Sequence, residues 1–206
     1  MLSIFRRKNK SVSTEQEFWN WFLVNKKKIE DFIDSEHNDY SMYNLLTKKM
    51  RAYHDEIVPE LTKTKDEKYV LIITPDGIKA GIEPTKALAA AKPEIDNWIV
   101  EKFRQPCDEI TLEFKGVRYP SSDIEVVARF DSKKELVNID LFIRNMNKDP
   151  INYKNLAFLY LDHILGEFNV LTKIGYIELH NLDENKSVQN SINLLRLREL
   201  IAEHLY

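Results

Sequence analysis

An α+β fold is predicted, with a mostly antiparallel twisted sheet, an N-terminal helical hairpin and C-terminal helices packed on it. Three observations carry this expectation. Apolar residues recur at helical spacing near both ends of the chain. Between them, several stretches alternate with period two. Consecutive strand-like stretches also follow one another without helices between them, which a doubly wound parallel sheet does not allow. With 206 residues, 43% of them hydrophobic, the chain has enough apolar material for a core that needs no disulfide or metal staple. The expected organisation is a basic flexible tail over 1–13 followed by a single domain over 14–206. The helical hairpin covers about 14–57 and the sheet-containing body about 61–206.

Thr14-Glu15-Gln16-Glu17 is a capping box that starts the first helix. Phe18, Phe22, Ile29 and Ile33 then share one face, and Lys26, Lys27 and Lys28 form a solvated stretch. A second helix is expected from about Met42 to Asp55, with Ser41 as its cap and Met42, Leu45, Leu46, Met50 and Tyr53 as its buried stripe. From Leu61 the period changes to two. Leu61–Lys65 and Lys68–Thr74 read as a hairpin, and the second strand is apolar on both sets, so it should be central. Pro75-Asp76-Gly77 is a turn, Pro84–Lys92 a short helix and Trp98–Phe103 a strand. Ile110–Phe114 alternates. So do Ile124–Phe130 and Val137–Ile143, joined by a four-residue loop, with Asn138 and Asp140 on the polar face. Asn152–Phe168 reads as helix, Lys173–Leu182 as strand and Val188–Leu205 as a last helix capped by Ser187.

Composition narrows the function classes. Arg6, Arg7, Lys8 and Lys10 face no acid among the first ten residues, so the rest of the chain is more acidic than the net charge of -3 indicates. An acidic body argues against nucleic acid as a partner. Cys107 is the one cysteine, so no internal disulfide and no cysteine zinc cage can form. That chemistry, the charge order at the start of the chain and the lack of a long apolar run point to a cytoplasmic protein with no membrane span. The chain holds no glycine-rich phosphate loop, dinucleotide fingerprint, HExxH or GxSxG motif. No cofactor is expected.

Two groups of residues remain. Asp162, His163 and Glu167 share a polar helix arc, with His163 and Glu167 four residues apart around Gly166. A mid-helix glycine costs roughly 1 kcal/mol against alanine, which close approach by another backbone or a ligand would explain. With Glu178 and His180 from the next strand, this arc is a candidate site for zinc, manganese or iron. Against that stands ordinary helix decoration, in which Gly166 packs on the sheet and the carboxylates make structural hydrogen bonds. Cys107 is a poor nucleophile, because Asp108 and Glu109 beside it raise a thiol pKa. The second group is a contact surface. Trp19 and Trp21 spread around the first helix beyond one buried stripe, and Arg198 lies inside the apolar arc of the last helix, where it needs a carboxylate partner.

Phe18-Trp19-x-Trp21-Phe22, Thr74-Pro75-Asp76-Gly77 and Leu161-Asp162-x-x-Leu165-Gly166-Glu167 together resemble the motifs of a family of uncharacterised bacterial proteins. The resemblance spans most of residues 14–180. It implies a bacterial cytoplasmic origin and, because the family has no established activity, no catalytic residues. The function expected from the sequence is a non-enzymatic protein-binding module, immunity-like or accessory, whose partner is another protein or a second copy of itself. The alternative is a metal-dependent hydrolase or small-ligand protein using the Asp162, His163 and Glu167 helix face.

Overall fold

Thr14 opens helix α1 (Glu15–Asp34) as the capping box requires: its hydroxyl accepts from the Glu17 amide, and the Glu17 carboxylate accepts from the Thr14 amide. The computed structural model describes residues 14–35, 39–114, 117–148, 150–183 and 185–205, so the basic tail lies outside the described residues. The chain divides into two compact units, Met1–Asp76 with Ala80–Lys102, and Gly77–Lys79 with Phe103–Tyr206. In place of the expected single sheet the described residues form three: β1-β2-β3, β4-β5 and β6-β7-β8.

In the first unit α1 packs with α2 (Ser41–Tyr53), β1 (Val58–Lys63), β2 (Tyr69–Thr74), α3 (Ile82–Ala90) and β3 (Trp98–Lys102). The hairpin of β1 and β2 is antiparallel, and β2 is central as its two apolar faces require. Against expectation β3 runs parallel to β2. The physical reason is α3, since a parallel neighbour needs a long crossover. Phe18 and Phe22 each meet Trp19 edge to face, and Phe22 meets Trp98 in the same way, in the core. The two buried indole N–H groups are satisfied, Trp19 by the Leu88 carbonyl at 2.9 Å and Trp98 by the Glu30 carboxylate at 2.9 Å.

In the second unit β4 (Thr111–Phe114) and the unexpected β5 (Val117–Pro120) form a small ribbon. The larger sheet pairs β6 (Ile124–Asp131) antiparallel with β7 (Leu136–Arg144) and β7 parallel with β8 (Ile174–Leu182). Helices α4 (Pro150–Leu161) and α5 (Glu167–Lys173) supply that second crossover. Val137, Ile139, Leu141 and Ile143 face inward against Leu156, Ala157 and Leu161 of α4 and Leu197 and Ile201 of α6 (Leu194–Leu205). Antiparallel pairings therefore outnumber parallel ones, and the α+β class holds.

The last helix begins at Leu194 and not Val188. Residues 188–192 are spent on the sheet instead. Ile192 exchanges two backbone hydrogen bonds with Val126, and the Glu125 carboxylate accepts from the Val188 amide and the Ser191 hydroxyl. The Ser191 bond is the main reason the Glu125 carboxyl titrates below the usual carboxylate range, with the Val188 amide and Arg144 adding to it. A carboxyl depressed on folding adds stability above its unfolded pKa of about 4.3 and loses it as pH falls through the lower folded value. Glu125→Gln is therefore expected to destabilise the protein by about 1–2 kcal/mol at pH 7. The difference from wild type should be smaller at about pH 3, below the unfolded pKa. Urea unfolding at both pH values measures it, and an equal deficit at pH 3 would contradict this account of Glu125.

Candidate functional site

The helix predicted over 152–168 is not continuous. α4 runs into a π-helical turn, Asp162–Gly166, and α5 starts directly after it. Gly166 has φ +84°, and a Cβ there would lie 3.2 Å from the Pro106 ring. Close approach thus explains the glycine, as the sequence suggested, and the approaching group is a proline. A π turn hydrogen-bonds across five residues, so it brings positions five apart to one side where an α-helix brings positions four apart. Asp162 and Glu167, not His163 and Glu167, consequently converge on one partner, Arg104.

All three of these side chains are buried. Arg104 Nη1 lies 2.7 Å from Asp162 Oδ2 and 3.8 Å from Glu167 Oε1. Glu167 Oε2 accepts from the Arg104 amide at 3.1 Å, and Oε1 from the Gly77 amide at 3.3 Å. The Glu167 amide returns a bond to the Arg104 carbonyl, and the Cys107 amide donates to the His163 carbonyl at 2.7 Å. The predicted metal-binding arc therefore works as a stitch between the π turn and the 104–107 segment, with its two carboxylates turned to a guanidinium and to backbone N–H groups. Arg104 carried no sequence signal, because nothing in a loop arginine's neighbours tells that it will be buried.

The predicted contact residues also find internal partners. Trp19 is core, with no exposed surface. Trp21 is half-buried, with Lys49 Nζ 5.9 Å from its ring centre. Arg198 has the carboxylate partner it needed, within the same unit: it donates to Asp108 at 2.6 Å and to the carbonyls of Cys107 and Ile164. The apolar arc of α6 packs into its own core through Leu194, Leu197, Ile201 and Leu205. Burial, more than its acidic neighbours, pushes the Cys107 thiol up, with Arg198 opposing.

His180 sits elsewhere, on the outward face of the larger sheet. There it joins Glu178 and Asp140, and one ligand atom from each lies within 4.8 Å of the others. Among the described residues this is the one such group that could hold a metal ion. Period-two alternation had put Glu178 with His180 and had put Asp140 on a polar face. What it lacked was the pairing of β7 with β8, which sets Asp140 opposite Glu178 and Phe142 opposite His180. Arg129 clasps Asp140 with two bonds, at 2.5 and 2.7 Å, and holds its carboxyl below the usual range. The His180 ring stacks on Phe142 at 4.7 Å.

Comparison with known proteins finds no matching family model, no matching curated protein and no matching solved structure. Among the described residues no helix is long and apolar enough to cross a membrane.

Two substitutions test the buried stitch. Arg104→Ala removes the guanidinium from two buried carboxylates and should cost about 3–5 kcal/mol. Gly166→Ala imposes a left-handed alanine and a contact with Pro106, at about 1–3 kcal/mol. Urea unfolding with hydrogen exchange at residues 162–173 reads both. A cost below about 0.5 kcal/mol for Arg104→Ala, the size of an ordinary surface change, would remove the stitch from the account.

Proposed function

We propose that this chain is a non-enzymatic protein-binding module, immunity-like or accessory, that works in a bacterial cytoplasm through the outer side of α4. The observation that supports this most is α4 itself. Helices on a globular surface normally keep one apolar stripe and one polar side. This helix carries apolar residues on both sides: Leu156, Ala157, Tyr160 and Leu161 enter the core, while Ile151 is 76%, Phe158 42% and Leu159 37% exposed beside the polar Lys154 and Asn155. Ile151, Phe158 and Leu159 stand at i, i+7 and i+8, so they share one side. Such a stripe is what a helix presents to a groove on a partner, and clustered exposed apolar side chains mark contact surfaces more often than single ones do. The free thiol of Cys107 suits a reducing compartment. The use of Asp162 and Glu167 on Arg104 supports a supporting role for the groups that would otherwise suggest catalysis.

The stripe is tested by Ile151→Ser with Phe158→Ser. Because both side chains project outward, stability should change by no more than about 0.5–1 kcal/mol. Co-purification from native cells, with mass measurement of the purified chain for self-association, should show a partner or a second copy that the double variant loses and Lys27→Ala keeps. An identical partner set and identical mass for wild type and the double variant would sink this reading.

A further inference from the structure

We infer that Asp140, Glu178 and His180 form a binding site for a divalent transition ion of the zinc class on the outward face of the larger sheet. The site is separate from the α4 stripe, and the inference does not rest on the binding reading. The backbone builds the trio. Asp140 and Glu178 are register partners on the parallel strands β7 and β8, and His180 follows Glu178 by two residues, so all three side chains leave the same face. One ligand atom from each lies within 4.8 Å of the others, and His180 Nε2 is 3.9 Å from Glu178 Oε1. Bonds of about 2.0–2.2 Å to one imidazole nitrogen and two carboxylate oxygens would give an ion three protein ligands and leave a fourth position for water. Small side-chain rotations close the remaining gap.

Two features beyond the trio prepare it. Phe142, the register partner of His180, stacks on the imidazole with ring planes 18° apart and limits its rotation. Arg129 looks at first like a competitor, since it clasps both Asp140 oxygens. A carboxylate has about four acceptor positions, however. The guanidinium uses one on each oxygen and leaves another on each for a metal. Hydrogen-bonded carboxylate ligands are the usual arrangement around protein metals, the second group fixing the first. Arg129 is thus a positioning residue whose charge also weakens the site. With the Glu178 side chain 52% exposed and that of His180 34% exposed, water reaches the ion.

Calorimetric titration of the full chain with zinc chloride, and cobalt absorption spectra on the same samples, test this. One ion per chain is expected, with a dissociation constant of about 1–100 μM, as for an open three-ligand site. His180→Ala and Glu178→Gln should each weaken it at least about 10-fold, the size of losing one ligand. Arg129→Gln should tighten it, because a cation beside the ion is gone. His54→Ala and His204→Ala, the controls for scattered histidine binding, should leave it unchanged. All five positions are at least partly exposed, so circular dichroism should show each variant folded. No binding below about 1 mM, or binding that survives both His180→Ala and Glu178→Gln, overturns the site. Neither result touches the α4 stripe, which is assayed in chelator.

Discussion

Two backbone amides that belong to no helix or strand, those of Arg104 and Gly77, are satisfied by one carboxylate, Glu167. Much of the second unit's irregular structure depends on that bond pattern. A buried amide without an acceptor costs as much as a lost hydrogen bond, and a buried carboxylate costs more unless it is paired. Glu167 and the Arg104 segment answer both needs at once. The carboxylate takes two N–H groups, the guanidinium stands beside it, and the Glu167 amide closes the exchange on the Arg104 carbonyl. The left-handed Gly166 permits this, since it lets the chain leave the π turn and bring Pro106 close.

The same physics sorts the polar residues into those that support and those that remain available. Asp162, Glu167 and Arg198 hold segments together through carbonyls, amides and ion pairs inside one unit. Asp140, Glu178 and His180 stand on a sheet face whose opposite side carries the core, so their acceptor positions still meet water. Residue type could not distinguish the two groups: each holds an aspartate, a glutamate and a basic residue.

Local signals were the legible part of the fold. The capping box of α1, the central position of β2, the β6–β7 hairpin and the start of β8 each rest on interactions within a few residues or on a period that backbone geometry imposes. The start of α6 differs from the helical period because Ile192 and Ser191 gain partners on β6, more than sixty positions earlier for Ser191 and Glu125. The ribbon strand β5 carries little sequence signal because it is short and ends in a proline. Helix-period arithmetic likewise placed His163 beside Glu167, where the π turn pairs Asp162 with it instead.

By itself the sequence determined most of the longer helices and strands, and that Glu178 and His180 share a face, because each follows from local sterics or a backbone period. Only the tertiary structure decided that the strands close into three sheets in two units, that Arg104 is the partner of both helix carboxylates, and that Asp140 completes the trio with His180. Those depend on which distant segments meet, and burial, which sets whether a charged group is support or site, exists only once they have met.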